Sequence, residues 1–265
     1  IKQHLDQAGL FNRPIHIISA NMHSFLNTLY ILDALKDIEE INNYSTIEEI
    51  ILYLSKNRAL TAQIEKYAYE NGTTFIDDSN GTNISTQIID MDKVPLNKII
   101  PNLNIDKNYI QQEKPVLIVI DYAFGEQAYE IMDELLKIWK QPNKPTLFMS
   151  LKSISIMGKA GILKGNKGDI MLPTCHIFEG SGDNYPFKNE LTLDDFKNSD
   201  VDAYEGNMIT VLGTSLQNKD ILEYFHSSSW KAIGLEMEGA HYQKAIQSQS
   251  VVRHNIRSDI KLLYA

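Results

Sequence analysis

The chain has little cysteine, no surplus of basic residues and no long apolar run. Cys175 is the only cysteine among 265 residues, which excludes an internal disulfide framework and a cysteine-rich zinc site. The net charge is -9 and no basic cluster is present, which argues against a nucleic-acid partner. No run approaches the roughly 20 apolar residues of a membrane span, and no signal-peptide pattern is present. We therefore predict a cytoplasmic protein without nucleic-acid or membrane partners, and expect further residues before Ile1 because the chain does not open on Met.

Strand patterns alternate with helical patterns along most of the chain. Residues 14–20 and 116–120 are short apolar runs typical of buried strands, and a polar turn and a helical pattern follow each of them. Residues 251–256 are predicted as the last strand. This alternation predicts an α/β fold with a mostly parallel or mixed sheet that helices cover on both faces.

The middle of the chain carries weaker patterns. Residues 45–71 predict a helix that begins with a capping box formed by Ser45 and Glu48. Residues 73–92 predict a hairpin whose turn lies at 78–81. No internal repeat is present, and we predict one domain over residues 1–265 with a divergent or inserted region at about 40–110.

A glycine-rich turn and the polar loop that follows it form the stretch from Met157 to Pro186. Glycines allow the backbone to turn tightly and approach a ligand closely, and Lys159 lies between Gly158 and Gly161. Backbone N–H groups that converge beside a lysine suit an anion, although Lys159 is equally compatible with an ordinary surface lysine.

Polar residues follow several predicted strands, and ligands of α/β sheets bind beyond the carboxyl ends of the strands. We therefore expect one small-molecule pocket, formed by the turns at His23-Ser24, Phe124–Glu126, Gly158–Gly161, Glu236–Glu238 and Ser258-Asp259.

Two acidic motifs suggest the chemistry of that pocket. Glu236-Met237-Glu238 offers carboxylates that accept hydrogen bonds from the hydroxyls of a ribose, with a thioether to pack on the sugar. The alternative is a solvated helix N-terminus, where glutamate is favourable. Asp259 after Ser258 is a candidate general acid, and the alternative is a helix N-cap.

The remaining candidates carry weaker signals. His23 is a candidate for positioning a water or an anion, and a structural histidine is the alternative. Phe178 and Tyr185 are candidates for stacking on a planar base, although aromatic residues are core residues by default. We interpret Cys175 as buried packing and not as a nucleophile.

Five of these motifs, taken in order, resemble the nucleoside phosphorylase and nucleosidase superfamily. Residues 158–173 resemble its G-x-x-G-G-L…G-D-x-x-x-P segment, and Phe124-Gly125-Glu126 resembles its G-M-G segment. Glu236–Gly239 resembles its M-E ribose motif, Arg257-Ser258-Asp259 its terminal S-D motif, and residues 19–23 its first-strand turn.

The resemblance implies a three-layer α/β/α sandwich around a central mixed sheet, assembled as a homo-oligomer, that cleaves the N-glycosidic bond of a purine nucleoside or nucleotide. It implies Asp259 as general acid to the purine, with His23 as the second catalytic candidate, and neither a cofactor nor a metal. The implied binding residues are Glu236, Met237 and Glu238 for ribose, Gly158, Lys159, Gly125 and Ser24 for phosphate or another anion, and Phe178, Glu179, Asp183 and Tyr185 for the base.

Departures from the superfamily pattern favour a subclass. Lys159 stands where phosphorolytic members carry Thr or Ser, and this is similar to the short bacterial AMP nucleosidases. Phe178 replaces an arginine of those enzymes, and His23-Ser24 stands where other nucleosidases place a catalytic glutamate. We therefore predict an AMP nucleosidase-like hydrolase, with a phosphate-dependent purine nucleoside phosphorylase and a non-catalytic nucleotide-binding protein as the alternatives.

Overall fold

The computed structural model describes residues 1–77, 84–101, 103–213 and 218–265. The chain divides into two compact units, Gln3–Asp121 and Tyr122–Ala265. Both units combine helices with mixed parallel and antiparallel strands, so the predicted α/β class is confirmed. The prediction of one phosphorylase-like domain stays a prediction.

The first unit packs helices against a mixed set of four strands. Its strands are hydrogen-bonded in the order β1-β4-β3-β2, with β1 and β4 parallel and the other pairs antiparallel. Its elements are α1 (Lys2–Gln7), β1 (Ile15–Ser19), α2 (Met22–Ala34), a 3-10 helix (Glu39–Asn43), α3 (Ile47–Leu54), α4 (Arg58–Glu70), β2 (Thr73–Ile76), β3 (Thr86–Asp90), α5 (Lys107–Glu113) and β4 (Val116–Ile120).

The core of the first unit lies between α2, α4 and the strands. Leu29 and Tyr30 of α2 are buried with Ile64 of α4, because each helix carries its apolar residues at helical spacing. The Tyr30 hydroxyl hydrogen-bonds the Thr73 hydroxyl at 2.9 Å, which satisfies this phenol in the core.

Two sequence predictions in the first unit need correction or qualification. The helix expected over 45–71 is two helices, α3 and α4, and the capping box is formed by Thr46 and Glu49, one residue later than predicted. The antiparallel pairing of β2 with β3 agrees with the expected hairpin, whose turn at 78–81 lies outside the described residues.

The second unit contains a five-stranded mixed sheet and a parallel pair of strands that belongs to a different sheet. The five strands are ordered β6-β10-β9-β7-β8, with β7, β9 and β10 parallel, and β5 pairs with β11. The elements are α6 (Glu126–Leu136), β5 (Leu151–Ile156), β6 (Gly161–Ile162), β7 (Ile170–Phe178), β8 (Asn184–Pro186), a 3-10 helix (Leu193–Phe196), β9 (Ala203–Thr210), α7 (Lys219–Ser227), β10 (Ala232–Glu236), α8 (Gly239–Gln247), a π-helix (Ser248–Val252) and β11 (Lys261–Tyr264).

The strand predicted at 251–256 is wrong, because helix α8 continues into the π-helix there. The Gln249 amide donates to the Asp133 carboxylate at 2.5 Å, and the Ser250 hydroxyl donates to the Ile246 carbonyl at 2.7 Å. These bonds hold the segment in a helical turn against α6 despite its β-branched Val251 and Val252. The last strand is β11.

Candidate functional site

A cavity of about 390 Å³ lies in the second unit, and residues of the parallel strands β7, β9 and β10 line part of it. This volume falls in the range of small-molecule sites in proteins. Much of the wall is apolar and is contributed by Ile156, Ile162, Ile170, Met171, Pro173 and Met208. The polar side chains that line it are Lys159, Lys167, Asp169, His176, Glu236 and Glu238.

The Glu236 carboxylate, at the end of β10, is bound from four directions. One oxygen, Oε2, accepts hydrogen bonds from the backbone N–H groups of Glu238, at 2.5 Å, and of Gly239. The other, Oε1, accepts from the Thr210 hydroxyl and lies 3.2 Å from Nδ1 of His176. Because these contacts occupy both oxygens, Glu236 joins β7, β9 and β10 to the start of α8.

The surroundings keep Glu236 ionised. Burial by itself would raise the pKa of this carboxyl, but hydrogen bonds from His176, Thr210 and the Gly239 N–H outweigh burial and lower the pKa. The carboxylate also lies at the N-terminus of α8, where the helix dipole favours a negative charge. Its bonding therefore favours an anchoring role, and the predicted contact with ribose stays a prediction.

His176 projects from β7 and is only 2% exposed. Its ring stacks on Phe187, with centroids 5.6 Å apart and planes 3° apart, and it packs on Tyr264 at 5.3 Å. Since the Glu236 carboxylate is ionised, Nδ1 is the donor of the pair. The opposite nitrogen, Nε2, is buried and has no hydrogen-bond partner within the described part of the chain.

Gly239 makes room for the imidazole and carboxylate pair. A Cβ atom at this position would lie 2.1 Å from Nδ1 of His176 and 2.8 Å from Oε1 of Glu236. Such separations are far below van der Waals contact, so a side chain here would displace the pair. A glycine at the first position of α8 is therefore a requirement of the site.

Glu238 differs from Glu236 in its charge state. Burial raises the pKa of Glu238, and the negative charge of Glu236 raises it further. Hydrogen bonds from the Gly125 and Met237 N–H groups lower the pKa, and the net result is a pKa of about 7. This carboxyl is therefore present in both the protonated and the ionised form near neutral pH. It is the one carboxyl among the described cavity-lining residues with a raised pKa.

Gly125 supports Glu238 from the start of α6. It has φ 54 and ψ -124, a backbone conformation that L-residues avoid. Its N–H group hydrogen-bonds the Glu238 carboxylate. Gly125 thus contacts a carboxylate of the chain itself, and its predicted contact with a phosphate stays a prediction.

Two exposed lysines and an aspartate line the cavity near the glycine-rich turn. Lys159 and Lys167 are exposed there, next to Gly158 and Gly168 of the glycine-rich turn. Asp169 accepts a hydrogen bond from the Asn166 N–H at 2.7 Å, which closes a tight turn. The structure therefore brings four predicted residues to one cavity, namely Gly158, Lys159, Glu236 and Glu238.

The four residues predicted to bind a base are not among the described residues that line this cavity. Phe178 packs edge-on against His241 at 5.1 Å, and the Glu179 carboxylate accepts from the Leu212 N–H at 2.8 Å. Asp183 accepts from the Ser181 hydroxyl at 2.7 Å, and Tyr185 lies on β8 beside β7. Their role in base binding stays a prediction.

The other predicted residues lie partly in the second unit, outside the lining of the cavity, and partly in the first unit. Asp259 is 64% exposed at its side chain and is paired with Arg257, which lowers the pKa of the carboxyl and keeps it ionised. Met237 packs against an apolar cluster of the second unit. His23 and Ser24 are exposed residues in the first turn of α2, in the first unit, where the Asn21 side chain accepts from the His23 N–H at 2.9 Å. Their predicted roles stay predictions.

Sequence reasoning missed His176, Thr210 and Tyr264. His176 lies inside an apolar run of β7, and Thr210 and Tyr264 lie at the ends of β9 and β11. A histidine at a buried position inside an otherwise apolar strand is the signal that could have found His176.

The described residues contain neither a group of three or more His, Cys, Asp or Glu suited to a metal ion nor a helix long and apolar enough to span a membrane.

The fold and the cavity define an α/β protein with a carboxylate and imidazole pair beside a cavity of about 390 Å³. The chain is similar to the solved structure of futalosine hydrolase from Helicobacter pylori strain 26695, with 12% sequence identity, coverage of 96% of this chain and 85% of that chain, and a TM-score of 0.48. It is also similar to 5'-methylthioadenosine/S-adenosyl homocysteine nucleosidase from Campylobacter jejuni, with 11% identity, coverage of 96% and 83% of the two chains, and a TM-score of 0.48. A third similar structure is AMP nucleosidase from Bacteroides thetaiotaomicron VPI-5482, with 14% identity, coverage of 96% of this chain and 77% of that chain, and a TM-score of 0.44.

Residues 30–265 match the model of a family of unknown function, DUF6909, and the chain belongs to this family. A search of curated protein sequences finds no match.

Proposed function

We propose that the chain hydrolyses the N-glycosidic bond of a purine nucleoside or nucleotide. The observation that carries the proposal is the pairing of two unlike carboxyl groups in one cavity, an anchored ionised Glu236 and a Glu238 whose pKa is about 7. The two belong to the Glu-Met-Glu motif that resembles the ribose motif of the nucleosidase superfamily.

Breaking the bond between a ribose and a base produces a sugar with cation character. Anionic groups held in a site of low dielectric stabilise such a state more than they do in water. Ionised Glu238 would accept a hydrogen bond from a ribose hydroxyl, and protonated Glu238 would donate one. The apolar wall of Ile156, Ile162 and Met208 suits the sugar and the flat base.

The proton that the departing base requires has two candidate donors. Asp259 carries this role in the resemblance, but its exposure and its pairing with Arg257 favour the ionised form. Glu238 lies in the cavity with a pKa of about 7, which suits an acid that works at neutral pH. Its position therefore favours Glu238, and comparing Asp259→Asn with Glu238→Gln separates the two.

Lys159 and Lys167 favour a substrate that carries a phosphate. Both residues line the cavity and are exposed, in a chain whose overall charge is -9. A local pair of positive charges in an acidic protein suits an anionic substituent, so we propose a nucleoside monophosphate such as AMP over the free nucleoside. Lys159→Ala should then raise KM for AMP about tenfold and leave KM for adenosine unchanged, while Lys219→Ala on α7 serves as the matched control. Equal losses for both substrates would contradict the phosphate contact.

The activity is tested with a panel of purine nucleosides and monophosphates, incubated with and without inorganic phosphate. Chromatography follows the free base, and the sugar product separates hydrolysis, which gives ribose or ribose 5-phosphate, from phosphorolysis, which gives ribose 1-phosphate. Release that depends on added phosphate would favour the phosphorylase alternative. Absence of base from every substrate would refute both enzymes, and calorimetry with AMP would then test the binding alternative. The predicted homo-oligomer is tested separately by the mass in solution.

A further inference from the structure

We propose that His176, oriented by Glu236, is the base that takes a proton from the attacking water. This proposal rests on the proposed hydrolysis and assigns the water-activating step, for which the sequence offered only His23. His176 lines the cavity, and its Nε2 atom is the group assigned to the water.

The first argument is the unsatisfied nitrogen. Buried polar atoms in proteins almost always have a hydrogen-bond partner, and an atom without one points to a bound water or ligand. Nε2 of His176 is buried and has no partner among the described residues, although the other nitrogen of the same ring is bonded. The ring lines a cavity large enough for a small molecule, so a water bound at Nε2 would lie beside that cavity.

The second argument is the way in which the ring is held. Nδ1 donates to Glu236 at 3.2 Å, so the Nδ1–H tautomer of the ring, with its lone pair on Nε2, is the one that this contact selects. Phe187 and Tyr264 pack on the ring and fix its plane. A catalytic base requires a fixed tautomer and a fixed direction, and these three contacts supply both.

The third argument is charge compensation. When the imidazole takes a proton it becomes a cation inside a buried site, which is costly without a counter-ion. The Glu236 carboxylate is already ionised and already bonded to the ring, so it stabilises that cation without rearrangement. Thr210 and the N–H groups of Glu238 and Gly239 keep the carboxylate in place throughout.

In the proposed step the water O–H bond breaks and its proton passes to Nε2. The water oxygen forms a bond to the anomeric carbon of the sugar. The carbon–nitrogen bond to the base breaks, and its electron pair stays on the base nitrogen, which an acid of the site protonates. The imidazolium then releases its proton to solvent, and the acid that protonated the base takes up a proton from solvent. Both groups return to their starting forms, so water is the only co-reactant.

The first test uses His176→Asn. An asparagine amide at this position can still donate to Glu236 but has no group at the place of Nε2, so it separates anchoring from proton transfer. We expect kcat to fall by about 10² to 10⁴ with little change in KM. His226→Asn, at an exposed position on α7, is the matched control. A His176→Asn variant that keeps its kcat would overturn the proposal while leaving the hydrolase itself intact.

The second test needs no variant and covers the case in which His176→Asn does not fold. Nitrogen-15 NMR of the unmodified protein distinguishes the two neutral forms of each histidine ring. We expect the Nδ1–H form for His176, with an unprotonated Nε2 that responds to a bound substrate analogue. The Nε2–H form would overturn the proposal. Absence of turnover by the unmodified chain would refute the proposed function and the base role together.

Discussion

Glu238→Gln tests the electrostatics of the cavity without any assumption about the substrate. The substitution keeps the size of the side chain and removes its ability to ionise. Below about pH 4.5 Glu238 is protonated in both the folded and the unfolded chain, so its ionisation costs the fold nothing. Between about pH 4.5 and pH 7 the unfolded chain has lost this proton while the folded chain retains it, and above about pH 7 both are ionised. The unmodified chain should therefore lose stability relative to the variant across this window.

The magnitude follows from the raised pKa. An increase from 4.5 to about 7 corresponds to roughly 3 kcal/mol at about 1.4 kcal/mol per pH unit. Because the side chain is partly exposed, solvent screens the charge, and we expect about 1 to 2 kcal/mol. For a protein of this size, this difference shifts the midpoint of thermal unfolding by about 2 to 8 °C in favour of the variant above pH 7.

Tryptophan fluorescence is the suitable assay, since Trp139 and Trp230 are the two tryptophans of the chain and both lie in the unit that holds the cavity. Unfolding curves of both proteins are recorded at intervals from pH 4.5 to 9. Glu130→Gln, at an exposed position on α6, is the control and should follow the unmodified chain. A difference between Glu238→Gln and the unmodified chain that stays constant from pH 4.5 to 9 would refute the raised pKa.

Three substitutions test the framework around this carboxyl by chemical unfolding followed through the same fluorescence. Gly239→Ala places a Cβ atom inside the imidazole and carboxylate pair and should lower the free energy of unfolding by about 2 to 3 kcal/mol. Gly158→Ala, with no atom within 4 Å of the new Cβ, is the control and should have little effect. Equal effects of the two substitutions would contradict the close packing at Gly239. Thr210→Val removes the hydroxyl that donates to Glu236 and accepts from the Ala240 N–H, and should lower the free energy of unfolding by about 2 kcal/mol. Thr210→Ser keeps the hydroxyl and should retain most of that stability. If Thr210→Ser loses as much stability as Thr210→Val, the loss comes from packing and not from the hydrogen bonds. Gly125→Ala meets no neighbour within 4 Å, so its expected cost of about 1 to 2 kcal/mol comes from the backbone conformation at φ 54, and an unchanged stability would contradict that strain.

The sequence by itself determined the α/β class and the parallel strands β1 and β4. Residues 116–120 form β4 as predicted, because a short, fully apolar run between polar turns is typical of a strand that is buried on both faces. It also identified the glycine-rich turn and the Glu236–Glu238 motif, because polar residues that follow strands mark the ligand side of such sheets. These features are local, so a short stretch of sequence is enough to reveal them.

The tertiary structure decided what the two glutamates do. His176 and Glu236 are 60 residues apart and Thr210 and Glu236 are 26 apart, so no local pattern could show that they meet. These contacts anchor the Glu236 carboxylate, whereas burial and the charge of Glu236 raise the pKa of Glu238. The motif alone presents the two glutamates as equivalent. Long-range contacts also turned Val251 and Val252 into a helical turn against their β propensity. Local propensity fixes the kind of element, whereas burial and distant partners fix the charge and direction of each side chain in the cavity.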